Sequence, residues 1–301
     1  MNLFHSNPSP VFLKRDSDLE AQKEALISIR PQYSEEVQAV IDEDLKILEY
    51  GIAGEKRIAY ELENSHIPMY IIHDLFLEHE GLSAQIDYLI FTRKCFFVVE
   101  CKNLYGSISI ASDGTFTRTV QTARGYRKEG IYSPITQNRR HLELIKAIVN
   151  QSLAARIGNL FLDGFESTWI PVVCIANEKT VVNDRYAGKA IRNQIVRHDG
   201  LVRFIRNHYN ACNEFPMSDK ETRETAEKWL QRNVPNPTDY LAKYDRLQAE
   251  AAAGKPEKQT LLCPKCGAPM VLRTAARGAN AGRQFYGCSR YPACRGIVNL
   301  G

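Results

Sequence analysis

Two carboxylates and a lysine interrupt an otherwise apolar run. Residues 87–102 read DYLIFTRKCFFVVECK, with Asp87, Glu100 and Lys102 set among Ile, Phe and Val. Such residues suit buried strands, where a charge is costly unless it is paired or bound to a metal. If the chain turns between Arg93 and Lys94, Phe91 faces Phe96 and Asp87 faces Glu100. Opposed Cβ atoms lie about 4.5–5.5 Å apart, so two carboxylates there repel. A divalent cation reverses the sign. Mg²⁺ takes hard oxygen ligands, commonly one or two carboxylates, and keeps several waters; Mn²⁺ suits the same oxygens. Strand alternation puts Lys102 on the face of Glu100 and Gln85 on that of Asp87. An ammonium so placed can orient an attacking water or stabilise charge on a scissile phosphate. The residues alone also allow a plainer arrangement, an ion pair of Lys102 with one carboxylate at a strand end.

A second constellation lies in the tail, where CPKC at 263–266 is followed by CSRYPAC at 288–294. Cys263, Cys266, Cys288 and Cys294 form two short-spaced pairs. Their thiolates make a tetrahedral Zn²⁺ site with no open position for catalysis. So short a module has too little core to fold readily alone, and metal binding supplies folding energy. Disulfides are the alternative, and a reducing cytosol opposes them. The remaining cysteines, Cys95, Cys101, Cys174 and Cys212, are scattered and read as buried free thiols. Around the tail cysteines, Phe285, Tyr286 and Tyr291 could stack on bases, while Arg273, Arg277, Arg283, Arg290 and Arg295 could meet phosphates. The aromatics could instead fill the module's small core; that suits Phe285 better, whereas Tyr291 suits a base.

These residues need elements to hold them. Apolar spacing over 34–49 is near the helical period. Gly51 and Gly54 interrupt it before a second helical stretch, GEKRIAYELEN. MYIIHDLFL, QIDYLIFT and CFFVVECK read as three strands, followed by a small β excursion over 106–120. Ser133 and Pro134 then supply an N-cap and a first helical position for ITQNRRHLELIKAIVN. TWIPVVCIA is a buried strand, QIVRHDG another candidate, and LVRFIRNHYN a short helix. The order predicts an α/β layer architecture with a mixed sheet flanked by helices. Residues 218–253 are charged and helical in pattern, broken by VPNPTD, and 251–260 read as a linker.

With 301 residues there is room for one large domain or two to three smaller ones. From Lys255 onward eight basic residues oppose one acid, Glu257, so the body is mildly acidic although the chain is +4 overall. A basic tail on an acidic body suits a polyanion partner, and equally a solvated surface. No run reaches the length of a membrane span. The N-terminus lacks the continuous apolar core of a signal peptide, so a cytoplasmic protein without a membrane partner is expected.

GEKRIAYEL, QIDYLIF, FFVVECKN and SPITQNRRHLEL, in that order, resemble the nuclease-related domain (NERD), a branch of the PD-(D/E)xK, restriction-endonuclease-like superfamily. The resemblance covers about residues 50–210. It implies Asp87 and Glu100 as metal-binding carboxylates, Lys102 as the catalytic lysine, Glu55 as the acid of the first core helix, and Gln137 as the glutamine of the following helix. Ile86 stands where the superfamily often has Pro before the Asp. On their own terms, Glu55 equally suits a helix N-terminus, where the macrodipole favours an acid, and Gln137 and His141 share a helix face that could meet phosphate or solvent. Of that pair Gln137 is the better site candidate. His66, His73 and His79 show no metal-ligand spacing and read as surface or core residues.

Residues 261–298 resemble the C-terminal zinc ribbon of type IA DNA topoisomerases, which implies binding to DNA, single strands in particular. Nothing resembles the tyrosine-bearing catalytic body of those enzymes. The organisation read from the sequence is an N-terminal helical extension (1–49), a nuclease-like domain (50–210), a helical connector (211–250), a linker (251–260) and a four-cysteine ribbon (261–301). The function expected is a Mg²⁺- or Mn²⁺-dependent deoxyribonuclease in DNA processing, repair or defence, its ribbon carrying one Zn²⁺ and binding DNA through Tyr286, Tyr291, Arg283, Arg290 and Arg295. A DNA-binding adaptor on an inactive nuclease fold is the alternative, and RNA the alternative substrate.

Overall fold

The computed structural model describes residues 9–123, 125–151, 164–253, 261–274 and 284–299. Internal contacts divide the chain into two units, Met1–Gln32 with Ala39–Tyr240, and Tyr33–Gln38 with Leu241–Gly301. Arg277 and Arg283 lie outside the described residues, as does most of the expected linker.

The larger unit is built on a six-stranded mixed sheet. Its strands are β1 (Val11–Lys14), β2 (Tyr70–His79), β3 (Leu82–Phe91), β4 (Phe96–Lys102), β8 (Trp169–Ile175) and β10 (Ile195–Arg197), in the order β1-β2-β3-β4-β8-β10. β2, β3 and β4 form an antiparallel meander, while β4, β8 and β10 run parallel. β1 pairs in parallel with β2. Residues 1–49, read as a helical extension, hold a helix over Asp18–Ile29 and the start of another at Glu35, but also the strand Val11–Lys14: its four residues, VFLK, are too few to show alternation, yet they extend the sheet.

Eight helices are described: α1 (Asp18–Ile29), α2 (Glu35–Glu63), α3 (Pro134–Gln151), α4 (Phe165–Thr168), α5 (Lys189–Arg192), α6 (His198–Ala211), α7 (Asp219–Leu230) and α8 (Ala242–Ala252). α2 runs unbroken through Gly51 and Gly54, which differs from the two segments expected. Glycine costs a helix about 1 kcal/mol, but here close packing requires it. A Cβ on Gly54 would lie 2.6 Å from Asn103 Cβ, and one on Gly51 would lie 3.0 Å from Leu19 Cδ1.

Strand alternation sends the apolar side chains to two cores. Leu89, Phe91 and Val98 meet Leu144, Ile145 and Ile148 of α3 and Ala226 and Trp229 of α7. On the other face Tyr88, Ile90, Phe97 and Val99 meet Ile58 and Leu62 of α2 and Leu201 and Ile205 of α6. α3 starts where expected, with Ser133 Oγ accepting the Thr136 N–H at 3.3 Å. Between β4 and α3 the chain makes β5 (Ser107–Ile110), β6 (Phe116–Thr122) and β7 (Gly125–Ile131), which join β9 (Val181–Asn183) in a second sheet ordered β7-β6-β5-β9. Its inner residues Ile108, Ile110 and Phe116 pack on Val173 and Ile175 of β8.

In the smaller unit β11 (Met270–Thr274), β12 (Gln284–Cys288) and β13 (Ile297–Asn299) form an antiparallel sheet. No helix among the described residues is long and apolar enough to cross a membrane.

Candidate active site and metal centre

The β3–β4 register is the one the turn predicts. Phe91 pairs with Phe96, Ile90 with Phe97, Leu89 with Val98 and Tyr88 with Val99. The ladder ends there. One step further, the half-buried Asp87 accepts the Cys101 N–H on Oδ2 at 2.6 Å instead of pairing through its backbone. Alternation also slips at this point. Tyr88 belongs to the α2-side core, whereas Ile86 joins Leu89 and Phe91 on the α3 side. The matching irregularity in β2 is Asp74, with a φ of 54°, which the β2–β3 ladder skips. Such backbone conformations in a non-glycine residue cluster at functional sites. The slip displaces Gln85, expected on the face of Asp87. Its amide donates to Asp74 Oδ1 at 2.6 Å and its oxygen accepts from Asn236.

Two residues beyond Val98, Glu100 is 1% exposed. Lys102 Nζ lies 2.5 Å from its Oε1 and also donates to Gln137 Oε1 at 3.1 Å. Gln137 stands in the first turn of α3. The next residue, Asn138, is fully buried. Its Nδ2 donates to the carbonyls of Val98 at 2.9 Å and Val172 at 3.1 Å, fastening α3 across β4 and β8. One turn on, buried His141 brings Nδ1 to 3.7 Å from Glu100 Oε2. Neither of these two atoms has a hydrogen-bond partner among the described residues.

The charges are strongly coupled. Burial, with the Glu100 carboxylate next, pushes the Asp87 carboxyl well above its usual range. Burial also raises Glu100, with Lys102 pulling it back. For Lys102 burial acts downward, but Glu100 and Asp87 outweigh it and hold the ammonium charged. Burial, then Lys102, lowers His141 to about 4, so the imidazole is neutral.

Glu55 is not at a helix start but within α2, so the macrodipole does not account for it. It is buried, and its Oε2 accepts from Ser17 Oγ and from His73 Nε2, both at 3.0 Å. His73 Nδ1 in turn donates to the Arg15 carbonyl at 2.8 Å. Both ring nitrogens face oxygen atoms, an arrangement that favours the protonated ring. Its pKa is raised accordingly, burial being outweighed by Glu55. His73 also stacks on Tyr88 at 4.5 Å, whose hydroxyl donates to the Glu55 carbonyl at 2.7 Å. Thus His73 is more than a core histidine. No motif links it to Glu55; only the packing of α2 on β2 does. A cavity of about 340 Å³ opens beside this pair, lined by Phe12, Arg15, Lys56 and Tyr88.

Among the described residues, only the four tail cysteines gather three or more metal-ligating side chains, their sulfurs all within 4.8 Å. Cys263 and Cys294 Sγ lie 3.7 Å apart, and Cys266 and Cys288 Sγ 3.5 Å. Burial opposes it, but the backbone amides of Lys265 and Cys266 hold the Cys263 thiol down to about 7. This all-thiolate, closed donor set fits a structural Zn²⁺. Gly296 completes it, since a Cβ there would collide with Cys263 Sγ. The other four cysteines are free, with Cys95, Cys174 and Cys212 buried and Cys101 half-buried.

Two ribbon aromatics exchange places relative to expectation. Tyr286 packs on the small core of Cys263, Ala268, Met270 and Cys288. Phe285, one residue earlier, points to the opposite face and lines a cleft of about 450 Å³ with Tyr291, Arg273 and Arg295. Tyr291 is 58% exposed, and the Arg273 guanidinium lies 5.7 Å from its ring centre. Arg290 and Arg295 are exposed. Period-two alternation contains this distinction, but only the β11–β12 pairing reveals which parity faces the cysteines.

Residues 50–176 match the family model of the nuclease-related domain, and residues 261–300 match that of the topoisomerase DNA-binding C4 zinc finger. The chain thus joins a nuclease-related domain to a topoisomerase-type zinc ribbon. Glu55, Asp87, Glu100, Lys102 and Gln137 all fall within the first match, and the four cysteines within the second. Comparison with curated proteins gives no match, and comparison with solved structures gives none.

Proposed function

We propose that this protein is a Mg²⁺- or Mn²⁺-dependent nuclease that hydrolyses DNA, with the zinc ribbon as a tethered DNA-binding module. The observation that carries the reading is Glu100 Oε2, a buried carboxylate oxygen with no hydrogen-bond partner among the described residues, beside Asp87 and next to a Lys102–Gln137 contact. Asp87 and Glu100 would hold the cation. Two carboxylates without a third protein ligand suit a hard ion that keeps its waters. When bound, the ion supplies Lewis-acid stabilisation of phosphate charge and a more acidic water.

The chain's own residues have separable roles. Lys102 stays protonated beside Glu100, so it donates hydrogen bonds instead of accepting a proton. It orients the attacking water or stabilises charge on the scissile phosphate. Gln137 fixes the ammonium from α3, and Asn138 fixes α3 on the sheet. Neutral His141 caps the inner side of Glu100. Glu55, paired with His73, adds negative charge near Asp87 and supports the site. In the ribbon, Tyr291 and Phe285 offer stacking faces and Arg273, Arg290 and Arg295 offer phosphate contacts. Joining the two modules raises the effective concentration of one on DNA held by the other.

Cleavage of DNA with Mg²⁺ by wild-type protein and by Glu100→Ala tests the reading. Loss of metal-dependent cleavage with DNA binding retained is the expected result. Equal cleavage by both proteins would refute the site. Binding without cleavage by wild type, with either Mg²⁺ or Mn²⁺, would favour the adaptor reading. Competition between matched DNA and RNA strands decides the substrate.

A further inference from the structure

The four-stranded sheet β7-β6-β5-β9 has two dissimilar faces. Cross-strand register fixes which residues share each. Ser107 opposes Thr119, Ser109 opposes Thr117, and Thr119 in turn opposes Lys128. Gln121 opposes Tyr126, and Asn183 extends the same row beside Ser109. The alternate residues, Ile108, Ile110 and Phe116, are buried against β8, with Ile131 half-buried beside them, so the first set forms the outer face. Exposure agrees: Ser107, Gln121, Lys128 and Asn183 are exposed, and Tyr126 is 78% exposed.

The composition of this outer face is selective. It carries hydroxyls, side-chain amides, one tyrosine, one lysine and, beside Ser107, the exposed Val181, with no carboxylate. The acid of this hairpin, Glu129, points to the other side, where Arg118 and Arg127 neutralise it. Lys128 has no ion-pair partner among the described residues. Hydroxyls, amides and a free ammonium are the groups that hydrogen-bond phosphate and sugar oxygens, and the absence of acid removes the repulsion that would oppose a polyanion.

Its position fits the same partner. Lys102 ends β4 and Ser107 begins β5, five residues later. A chain that short spans at most roughly 18 Å. At the other end β7 closes at Ile131, six residues before Gln137. Three of its four strands, β5, β6 and β7, are thus an excursion bounded on both sides by residues of the candidate site, and β9 joins them from beyond β8.

We infer that the outer face of this sheet binds the sugar–phosphate backbone of the DNA flanking the scissile bond. Tyr126 and Lys128 on edge strand β7 make the outermost contacts, and the Ser107–Thr119 and Ser109–Thr117 rows the inner ones. The inference rests on the nuclease reading and adds a substrate-positioning surface to it.

The test uses the full chain with its zinc in place, so the ribbon is constant throughout. Binding of labelled DNA, single-stranded and duplex, is measured without added Mg²⁺ over a range of salt. Lys128→Glu is compared with Tyr126→Ala and with Lys220→Glu, an equal charge reversal at an 85%-exposed side chain on α7. Lys128→Glu is expected to weaken binding about tenfold and to lower the salt slope by about 0.9 per lost phosphate contact. Tyr126→Ala is expected to weaken binding several-fold, and Lys220→Glu less than twofold. If wild type binds and neither sheet variant departs from Lys220→Glu, the surface assignment is wrong while the nuclease reading stands. If wild type neither binds nor cleaves DNA, the nuclease reading fails and the surface with it.

Discussion

Lys102 Nζ stands between two oxygens, 2.5 Å from Glu100 Oε1 on its own strand and 3.1 Å from Gln137 Oε1 on α3. The carboxylate keeps the ammonium charged, and the amide sets its direction without adding charge. Lys102→Met therefore removes both the donor and the cation that compensates Glu100. Its expected effect is a fall in kcat of about 10²–10³-fold, measured by single-turnover cleavage. Gln137→Ala removes only the orienting contact and should cost about 10–100-fold. A smaller effect for Lys102→Met than for Gln137→Ala would reverse these roles.

Asp87 should lower stability at neutral pH when no Mg²⁺ is added. Burial and Glu100 raise its folded pKa, so between the unfolded value near 3.9 and that raised value the folded state binds more protons than the unfolded. Stability then falls as pH rises through this window. Asp87→Asn is expected to flatten that slope and raise Tm at pH 7 while abolishing cleavage. Added Mg²⁺ should raise the Tm of wild type by preferential binding to the folded state, and leave Asp87→Asn unmoved. A steeper pH slope in the variant would contradict the assignment.

Gly54→Ala tests why a glycine lies within α2. Helix propensity alone predicts stabilisation by about 1 kcal/mol. The 2.6 Å approach to Asn103 predicts destabilisation instead, by about 1–3 kcal/mol from overpacking. Urea unfolding of the two proteins gives the sign directly.

The ribbon should bind one Zn²⁺ and depend on it. Cys263→Ser and Gly296→Ala are both expected to abolish the bound zinc, the first by removing a ligand and the second by crowding that ligand's sulfur. Chelator treatment of wild type should expose the four ribbon thiols to a thiol reagent. Stoichiometric zinc in Gly296→Ala would show that the loop can yield.

Tyr286 and Tyr291 should separate stability from binding. Tyr291→Ala should retain zinc and weaken single-stranded DNA binding by about 1–3 kcal/mol. Tyr286→Ala empties the small core beside Cys263 and Met270 and should ease zinc release before it affects DNA. Zinc content and DNA affinity measured on the same preparations distinguish them; the reverse pattern would put Tyr286 at the DNA face.

Local rules carried much of the sequence reading. The β3–β4 register follows from a short turn and period-two alternation, and it brings Asp87, Glu100 and Lys102 to one strand end. The cysteine spacing likewise specifies the metal set, because ligand geometry is imposed by short loops. The start of α3 is legible in Ser133-Pro134 for the same reason.

Only the tertiary structure decided the contacts that close the site. His73 reaches Glu55 because β2 packs beneath α2, and His141 reaches Glu100 because Asn138 fastens α3 to the sheet. Gly51 and Gly54 read as breaks when propensity is considered alone; packing against Leu19 and Asn103 turns them into points of close approach. The alternation slip at Asp87 has no local signature either, since it arises jointly with Asp74 on the neighbouring strand. Sequence periodicity and ligand spacing are set by covalent geometry over a few residues. Which buried polar groups meet across elements is set by long-range packing, and that is what decided the geometry of this candidate site.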